Sequence, residues 1–187
     1  MRVSHWFPTV LGEAYLPNAE KVSKKLTPVI KKIVNNRDDT FYYYQIHRDK
    51  RFKVINDFVF KNVSDFSKMH SFGDITYHDS WFNDYKINTV NSPHHHDGSV
   101  FTAVYYLVGD INDASLVIHR PLPPDMMNPR KSTPDNPHNN MNKLTAEDIV
   151  IKPSPGYLCI FRSFLQHEVP LKTTNTPRIS IAYTFNV

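Results

Sequence analysis

The pattern of apolar and polar positions changes near residue 73. Before it, apolar residues recur every three or four positions, which is the spacing of amphipathic helices. After it, apolar residues form short runs rich in β-branched and aromatic side chains, bounded by Asn, Asp, Pro or Gly. Helices followed by many short strands predict a mainly β chain of the α+β type.

Two helices are predicted in the first part of the chain, over about 18–71. One begins at Asn18 and places lysines opposite an apolar face of Val22, Leu26, Val29, Ile30 and Ile33. Pro28 is expected either to kink this helix or to begin a second turn after Thr27. The other covers 52–69, with an apolar face of Ile55, Phe58, Val59, Val63, Phe66 and Met69. Both are expected to pack on one face of a sheet. Residues 5–16 indicate an opening strand, and residues 42–44 are left unassigned.

The later part, about 74–187, predicts a β core. The candidate strands are 75–78, 81–88, 100–108, 114–119, 148–152, 156–162 and 178–186. Their number and shortness predict a double-stranded β-helix, a jelly roll of the cupin-like kind, in one domain spanning 1–187. Residues 120–147 hold many prolines and asparagines without periodicity. They are interpreted either as a lid over a site or as an insertion without fixed structure.

Composition excludes several classes of protein. With 40% hydrophobic residues in 187, the chain predicts a globular domain with a real core. The net charge of +4 is expected to be solvated lysine and arginine, because no dense basic run favours nucleic-acid binding. A single Cys159 and no signal-like or membrane-spanning run predict an intracellular, cytoplasmic location. The sequence leaves the oligomeric state open.

Candidate chemistry lies at Ser92–Ser99, where three consecutive histidines and Asp97 precede an apolar run. Ligands two residues apart in extended chain project to the same side and can share one metal ion. A distant histidine, His167, can complete a facial set of three ligands that leaves other positions open. Arg178, eleven residues further on, offers a planar fork suited to a carboxylate.

These segments resemble the Fe(II)/2-oxoglutarate-dependent oxygenases. The likeness rests on His94-x-His96-x-Gly98-Ser99 with Thr102–Leu107, on Gly156–His167 and on Arg178-x-Ser180. More narrowly, it is similar to a bacterial and phage branch reading roughly H-x-H-P-x-S-x-x-S-G-V-Y-Y-L. The opening segment Trp6-Phe7-Pro8-Thr9 also resembles the start of that branch. The resemblance implies Fe(II), O2 and the small-molecule cosubstrate 2-oxoglutarate. The implied activity is hydroxylation of a C–H bond, with release of succinate and CO2, in a bacterium or a phage-infected host.

Two registers of the histidine cluster remain open as iron ligands. Alignment to the branch favours His94 and His96 with His167. The two-histidine, one-carboxylate set usual for non-haem iron favours His95 and Asp97 with His167. Asp97 stands where the branch has proline, so the motif departs from its pattern at this position.

The resemblance also implies groups that hold the cosubstrate. Its distal carboxylate is expected on Arg178, with the hydroxyl of Ser180 beside it. Of Tyr105 and Tyr106, which alternate along a strand, one is expected to face the barrel interior. Asn88 and Thr102 are candidates for supporting hydrogen bonds to the site.

The primary substrate is not readable from the sequence. A peptidyl or prolyl side chain is the expectation by analogy with the superfamily, and a small molecule stays open. The alternative function is a non-catalytic, cupin-like module that binds a metal or ligand. Such a module would need no arginine at the cosubstrate position.

Overall fold

The computed structural model describes residues 1–2, 9–34, 40–122 and 146–187. Two α-helices, α1 (Ala19–Val34) and α2 (Lys53–Met69), precede most of the strands. Two short 3-10 turns, Ile46–Arg48 and Lys50–Phe52, lead into α2. The strands are β1 (Gly12–Tyr15), β2 (Phe41–Tyr43), β3 (Thr76–Tyr85), β4 (Asn91–His94), β5 (Phe101–Val108), β6 (Leu116–His119), β7 (Asp148–Ile151), β8 (Tyr157–Arg162), β9 (His167–Val169) and β10 (Arg178–Asn186).

The strands form two antiparallel sheets. The larger has the order β1-β8-β5-β10-β3-β2, and the smaller has the order β4-β9-β6-β7. From β3 to β10 the strands alternate between the two sheets, except that β6 and β7 both lie in the smaller one, as in a double-stranded β-helix. The long strand β10 lies inside the larger sheet and pairs with both β3 and β5.

Two cores follow from the alternation of side chains. One face of the larger sheet packs against the helices, where Leu26 and Ile30 of α1 and Ile55 and Val59 of α2 are buried. The opposite face packs against the smaller sheet. On β5, Tyr105 points into the helical core and Tyr106 into the space between the sheets. The predicted jelly roll braced by helices on one sheet face is confirmed.

The element boundaries show where the pattern was less informative. Helix α1 continues through Pro28 as one helix, so no new element begins after Thr27. The two candidate strands at 75–78 and 81–88 are one strand, β3, with a register shift opposite Thr184 and Phe185. The short strands β4 and β9 were not predicted.

Some predictions fall where the structure gives no description. Most of the expected lid at 120–147 lies outside the described residues, as do residues 5–8 of the predicted opening strand. Among the described helices, neither is both long and apolar enough to cross a membrane.

Candidate metal and cosubstrate site

The smaller sheet brings the histidines together. Strand β4 pairs with β9 so that His94 lies opposite His167, and their ring centroids are 4.3 Å apart. His96 follows β4, and its ring centroid lies 5.2 Å from that of His94 and 5.0 Å from that of His167. Because β4 and β9 come from distant parts of the chain, their pairing is what assembles this cluster.

One nitrogen from each of His94, His96 and His167 lies within 4.8 Å of the others. Nδ1 of His94 is 2.8 Å from the Ser92 carbonyl oxygen, and Nδ1 of His167 is 2.9 Å from that of Leu165. A carbonyl oxygen only accepts, so each Nδ1 carries the proton and donates it. Nε2 of both rings is left as the metal-ligating atom.

Burial keeps two of these imidazoles neutral at physiological pH. It lowers the pKa of His167 to about 3 and that of His96 to about 4, with the neighbouring histidines adding to the effect. Neutral imidazole is the form that binds a metal ion, and burial therefore favours the ligand state.

Hydrogen bonds fix the loop that carries His96. Its backbone N–H donates to the Ser163 carbonyl oxygen at 3.0 Å. The Ser163 hydroxyl lies 2.9 Å from Ser99 Oγ and 2.8 Å from Thr102 Oγ1. Thr102 is fully buried and does not line the cavity. It supports the loop of His96 through its hydrogen bond with Ser163.

The alternative pair lies differently. Nε2 of His95 and Oδ1 of Asp97 are 3.0 Å apart, and the Asp97 side chain is 93% exposed. Among the described residues, the structure does not gather His95 and Asp97 with His167 into a group able to hold one ion. It brings together His94, His96 and His167 instead.

A cavity of about 450 Å³ between the sheets contains the three histidines and Arg178. Arg178 is the first residue of β10 and is 1% exposed. Its guanidinium carbon lies 4.1 Å from the ring centroid of Tyr85 and 5.5 Å from that of Tyr106. Nε donates to the Ala114 carbonyl oxygen at 2.9 Å, which leaves the end of the fork directed at the cavity.

A buried ion pair stands behind Arg178. Lys172, fully buried, donates to the Asp113 carboxylate, which is also buried. Asp113 also accepts from the hydroxyls of Thr174 and Thr176 and from the N–H of Ala114. The carboxylate thus holds the backbone N–H of Ala114, and Ala114 is the residue whose carbonyl oxygen accepts from Arg178. No pattern in the sequence predicted this network.

The other predicted cosubstrate residues divide by position. Tyr106 and Ser180 line the cavity. Tyr105 is buried against the helices, where its ring contacts Phe58, and does not line the cavity. Asn88 lies in an exposed turn after β3 with φ of 63°, where its N–H donates to the Lys172 carbonyl oxygen, and it also lies away from the cavity.

Several residues that line the cavity were not predicted, among them Asn83 and Tyr85. Both are on β3, where Trp81, Asn83 and Tyr85 alternate with residues facing the helices. Asn83 Nδ2 is 3.3 Å from Ser180 Oγ. The alternation of Trp, Asn and Tyr at every second position was the signal that could have identified them.

The residues present fit Fe(II) and 2-oxoglutarate. Three imidazole nitrogens converge, and imidazole is a suitable ligand for iron. In the same cavity Arg178 Nη1 and Tyr106 Oη are buried without a hydrogen-bond partner among the described residues. Buried donors without partners are costly, and a carboxylate reaching this end of the cavity would satisfy both.

Sequence comparison decides the family. Residues 79–184 match the family described as "Putative 2OG-Fe(II) oxygenase". The chain belongs to this family of 2-oxoglutarate-dependent dioxygenases. The family uses Fe(II), 2-oxoglutarate and O2, as the resemblance implied. No curated protein matches the chain in sequence.

Solved structures share the fold at low identity. A prolyl-4-hydroxylase from Pseudomonas putida is 13% identical, with a TM-score of 0.63 over 95% of this chain and 92% of that one. A prolyl hydroxylase from Trichoplax adhaerens, in complex with a hypoxia-inducible-factor peptide fragment, is 14% identical, with a TM-score of 0.66 over 94% and 83%. HygX from Streptomyces hygroscopicus, with nickel and 2-oxoglutarate bound, is 11% identical, with a TM-score of 0.63 over 95% and 83%. These likenesses show that the chain shares its double-stranded β-helix fold with these solved structures.

Proposed function

We propose that this dioxygenase hydroxylates a C–H bond of a peptidyl, prolyl or small-molecule substrate and releases succinate and CO2. The observation that carries the proposal is one cavity with two complementary ends. One end has the convergent nitrogens of His94, His96 and His167, and the other has the buried fork of Arg178. A metal-binding module without a cosubstrate would have no use for a buried arginine whose Nη1 lacks a partner.

His94, His96 and His167 would hold the iron. The neutral state of His96 and His167, the fixed Nδ1 protons of His94 and His167, and the anchored loop of His96 all prepare the free nitrogens for an ion. Fe(II), when bound, supplies the activation of O2 that couples decarboxylation of 2-oxoglutarate to oxidation of a substrate C–H bond. Three histidines add no negative charge, so the cosubstrate dianion would be the main charge balancing Fe(II) and Arg178.

Arg178 would orient the cosubstrate through its distal carboxylate. Its Nη1 and the Tyr106 hydroxyl would donate to that carboxylate, and the Ser180 hydroxyl would add a third contact. The flat faces of Tyr85 and Tyr106 exclude water from the guanidinium and limit its rotation. Charge-assisted hydrogen bonds are stronger in such a dry pocket than in water.

Two fold neighbours suggest the peptidyl reading of the substrate. Both are prolyl hydroxylases, and one of them is bound to a peptide fragment. The cavity beside the histidines also presents aromatic rings, Trp81 and Phe41, on the larger sheet. Aromatic rings suit an apolar ring or chain that must lie close to the metal.

Anaerobic reconstitution tests the function. Fe(II) followed by 2-oxoglutarate should give the weak visible absorption of a ferrous chelate, and O2 should then release succinate. His167→Ala should lose bound iron, whereas Arg178→Ala should keep iron and bind 2-oxoglutarate much more weakly. A wild-type protein with neither absorption nor succinate would refute the proposal.

Metal content tests the ligand register. His94→Ala and His96→Ala should each lower bound iron, measured by plasma mass spectrometry after desalting. His95→Ala and Asp97→Asn are the matched controls, because they lie in the same turn but outside the convergent group. Iron lost in the control variants and retained in the first two would show that the other register is used.

A further inference from the structure

The register of β3 and β10 sets out the cavity wall as a series of side-chain pairs. Every second residue of both strands lines the cavity, and the hydrogen-bond register matches them across the strands. In order, the pairs are Tyr85 with Arg178, Asn83 with Ser180, Trp81 with Ala182, and Asp79 with Thr184. Successive pairs are about 7 Å apart along the strands.

The wall can be related to the chemistry at each level. The first pair is the cosubstrate carboxylate end, where Arg178 lies over Tyr85. The third pair lies at the level of the metal, because the Trp81 ring centroid is 5.3 Å from that of His96. The fourth pair, Asp79 with Thr184, is therefore one step beyond the metal on the side away from Arg178. A substrate whose reacting carbon lies at the metal would reach this pair with its adjoining group.

The fourth pair has unused polar capacity. Thr184 Oγ1 is buried and has no hydrogen-bond partner among the described residues, and Thr184 itself is 2% exposed. Asp79 accepts at Oδ1 from the Ser80 N–H, and no described lysine or arginine forms an ion pair with it. The nearby His47 has its pKa lowered by burial and by the charge of Arg48, which favours its neutral form.

The charge of this end contrasts with the rest of the chain. Lysine and arginine outnumber aspartate and glutamate by 22 to 18. Among the described residues that line the cavity, Arg178 is the only lysine or arginine, and it lies at the end opposite Asp79. Asp79 and Asp97 supply carboxylates to the same cavity. Trp81, between Asp79 and the metal level, offers a ring face that attracts a cation.

We propose that Asp79, with Thr184 and Trp81, binds a primary ammonium or guanidinium group of the substrate, next to the carbon that is oxidised. This inference rests on the proposed function and narrows its substrate to molecules that carry a basic group. Asp79 would accept from the cation, Thr184 would accept one further N–H, and Trp81 would cover the adjoining methylene chain. The cation can belong to a free amine or to a lysine or arginine side chain in a peptide.

Matched probes test the charge. The anaerobic Fe(II) and 2-oxoglutarate complex would be titrated by calorimetry with Nα-acetyl-lysine N-methylamide and with its norleucine analogue, which lacks only the amine. The lysine probe should bind at least about tenfold more tightly, the equivalent of one charge-assisted contact. Tighter binding of free L-lysine than of the capped probe would support the same cation site and assign it to free amines. The reverse order would assign it to peptides.

Variants locate the effect. Asp79→Asn should remove the preference for lysine while leaving norleucine binding and the chelate absorption unchanged, and Asp79→Glu should restore part of it. Asp84→Asn is the matched control, because Asp84 is on the same strand, faces away from the cavity and pairs with Lys86.

Two outcomes would overturn the inference. One is lysine and norleucine probes of equal affinity in the wild type, and the other is an unchanged lysine preference in Asp79→Asn. A failed substrate assignment is distinguishable from a failed function, because normal chelate absorption and slow succinate release in the absence of substrate would persist only in the first case.

Discussion

Replacing Lys172 by methionine tests whether the buried ion pair behind Arg178 holds that arginine in place. The Lys172 and Asp113 side chains are 1% and 0% exposed, so neither charge is solvated. Methionine keeps most of the lysine stem and removes the ammonium. The Asp113 carboxylate then keeps only its neutral donors, Thr174, Thr176 and the Ala114 N–H.

The expected cost is large because a buried charge loses its counter-ion. Breaking such a pair from one side costs about 3–5 kcal/mol, whereas replacing both partners by neutral groups is often close to neutral. Lys172→Met should therefore lose about 3–5 kcal/mol of unfolding free energy. The double variant Asp113→Asn/Lys172→Met should recover at least half of that loss. A domain of this size has about 5–15 kcal/mol in total, so the single variant is expected to fold.

Urea denaturation with linear extrapolation measures the loss of unfolding free energy. Titration with 2-oxoglutarate measures a second effect, on cosubstrate binding. Movement of the Ala114 carbonyl should disturb Arg178, so the apparent KM for 2-oxoglutarate should rise while kcat at saturation changes little. A single variant that loses under about 1 kcal/mol would refute the reasoning, since a buried uncompensated charge cannot cost so little. So would a double variant as unstable as the single.

Three further predictions follow from other contacts. Arg178→Lys should weaken 2-oxoglutarate binding by about tenfold or more in calorimetry, because an ammonium cannot present a planar fork; unchanged affinity would contradict the assignment. Gly156→Ala should destabilise the fold by about 2–4 kcal/mol in urea, because its φ is 88° and a Cβ would lie 2.3 Å from that of Ala19. The matched change Gly73→Ala meets nothing within 4 Å and should cost far less; equal losses would argue against the steric account. Burial raises the pKa of Asp113, but the hydrogen bonds from Lys172 and the other donors outweigh it and lower the pKa. The ionised Asp113 carboxylate therefore stabilises the fold above about pH 4, and this stabilisation is lost as the pH falls. When unfolding free energy is measured against falling pH, the Asp113→Asn/Lys172→Met variant should lack this part of the acid destabilisation. Parallel curves for the variant and the wild type would refute this contribution of Asp113.

The sequence predicted the long elements well because their burial is periodic. Strands β5, β8 and β10 were placed to within a residue at each end, since β5 and β8 are largely apolar, β10 alternates apolar with other residues, and all three lie inside the larger sheet. Strands β4 and β9 were not predicted, since Asn-Ser-Pro-His and His-Glu-Val carry little apolar character. Their extended form comes from pairing with each other, which no local pattern expresses.

The candidate site was partly readable for the same reason. His167 and Arg178 were predicted in order along the chain, but the choice between His94/His96 and His95/Asp97 depended on the unrecognised pairing of β4 with β9. Asn88 was chosen without knowledge of its left-handed turn. The Asp113–Lys172 pair joins residues 59 apart and has no sequence signature. Cytoplasmic location and phage origin stay predictions.

Strand β10 contributes alternate residues to the cavity and to the helical core. Arg178, Ser180, Ala182 and Thr184 face the cavity, while Ile179, Ile181 and Tyr183 fill the helical core. Deleting one residue near its start would exchange the two sets, sending isoleucines into the cavity and a guanidinium into the core. Insertions and deletions in β10 should therefore be lethal to the fold. Single substitutions at its even-numbered positions can instead retune the reaction while the scaffold stays intact.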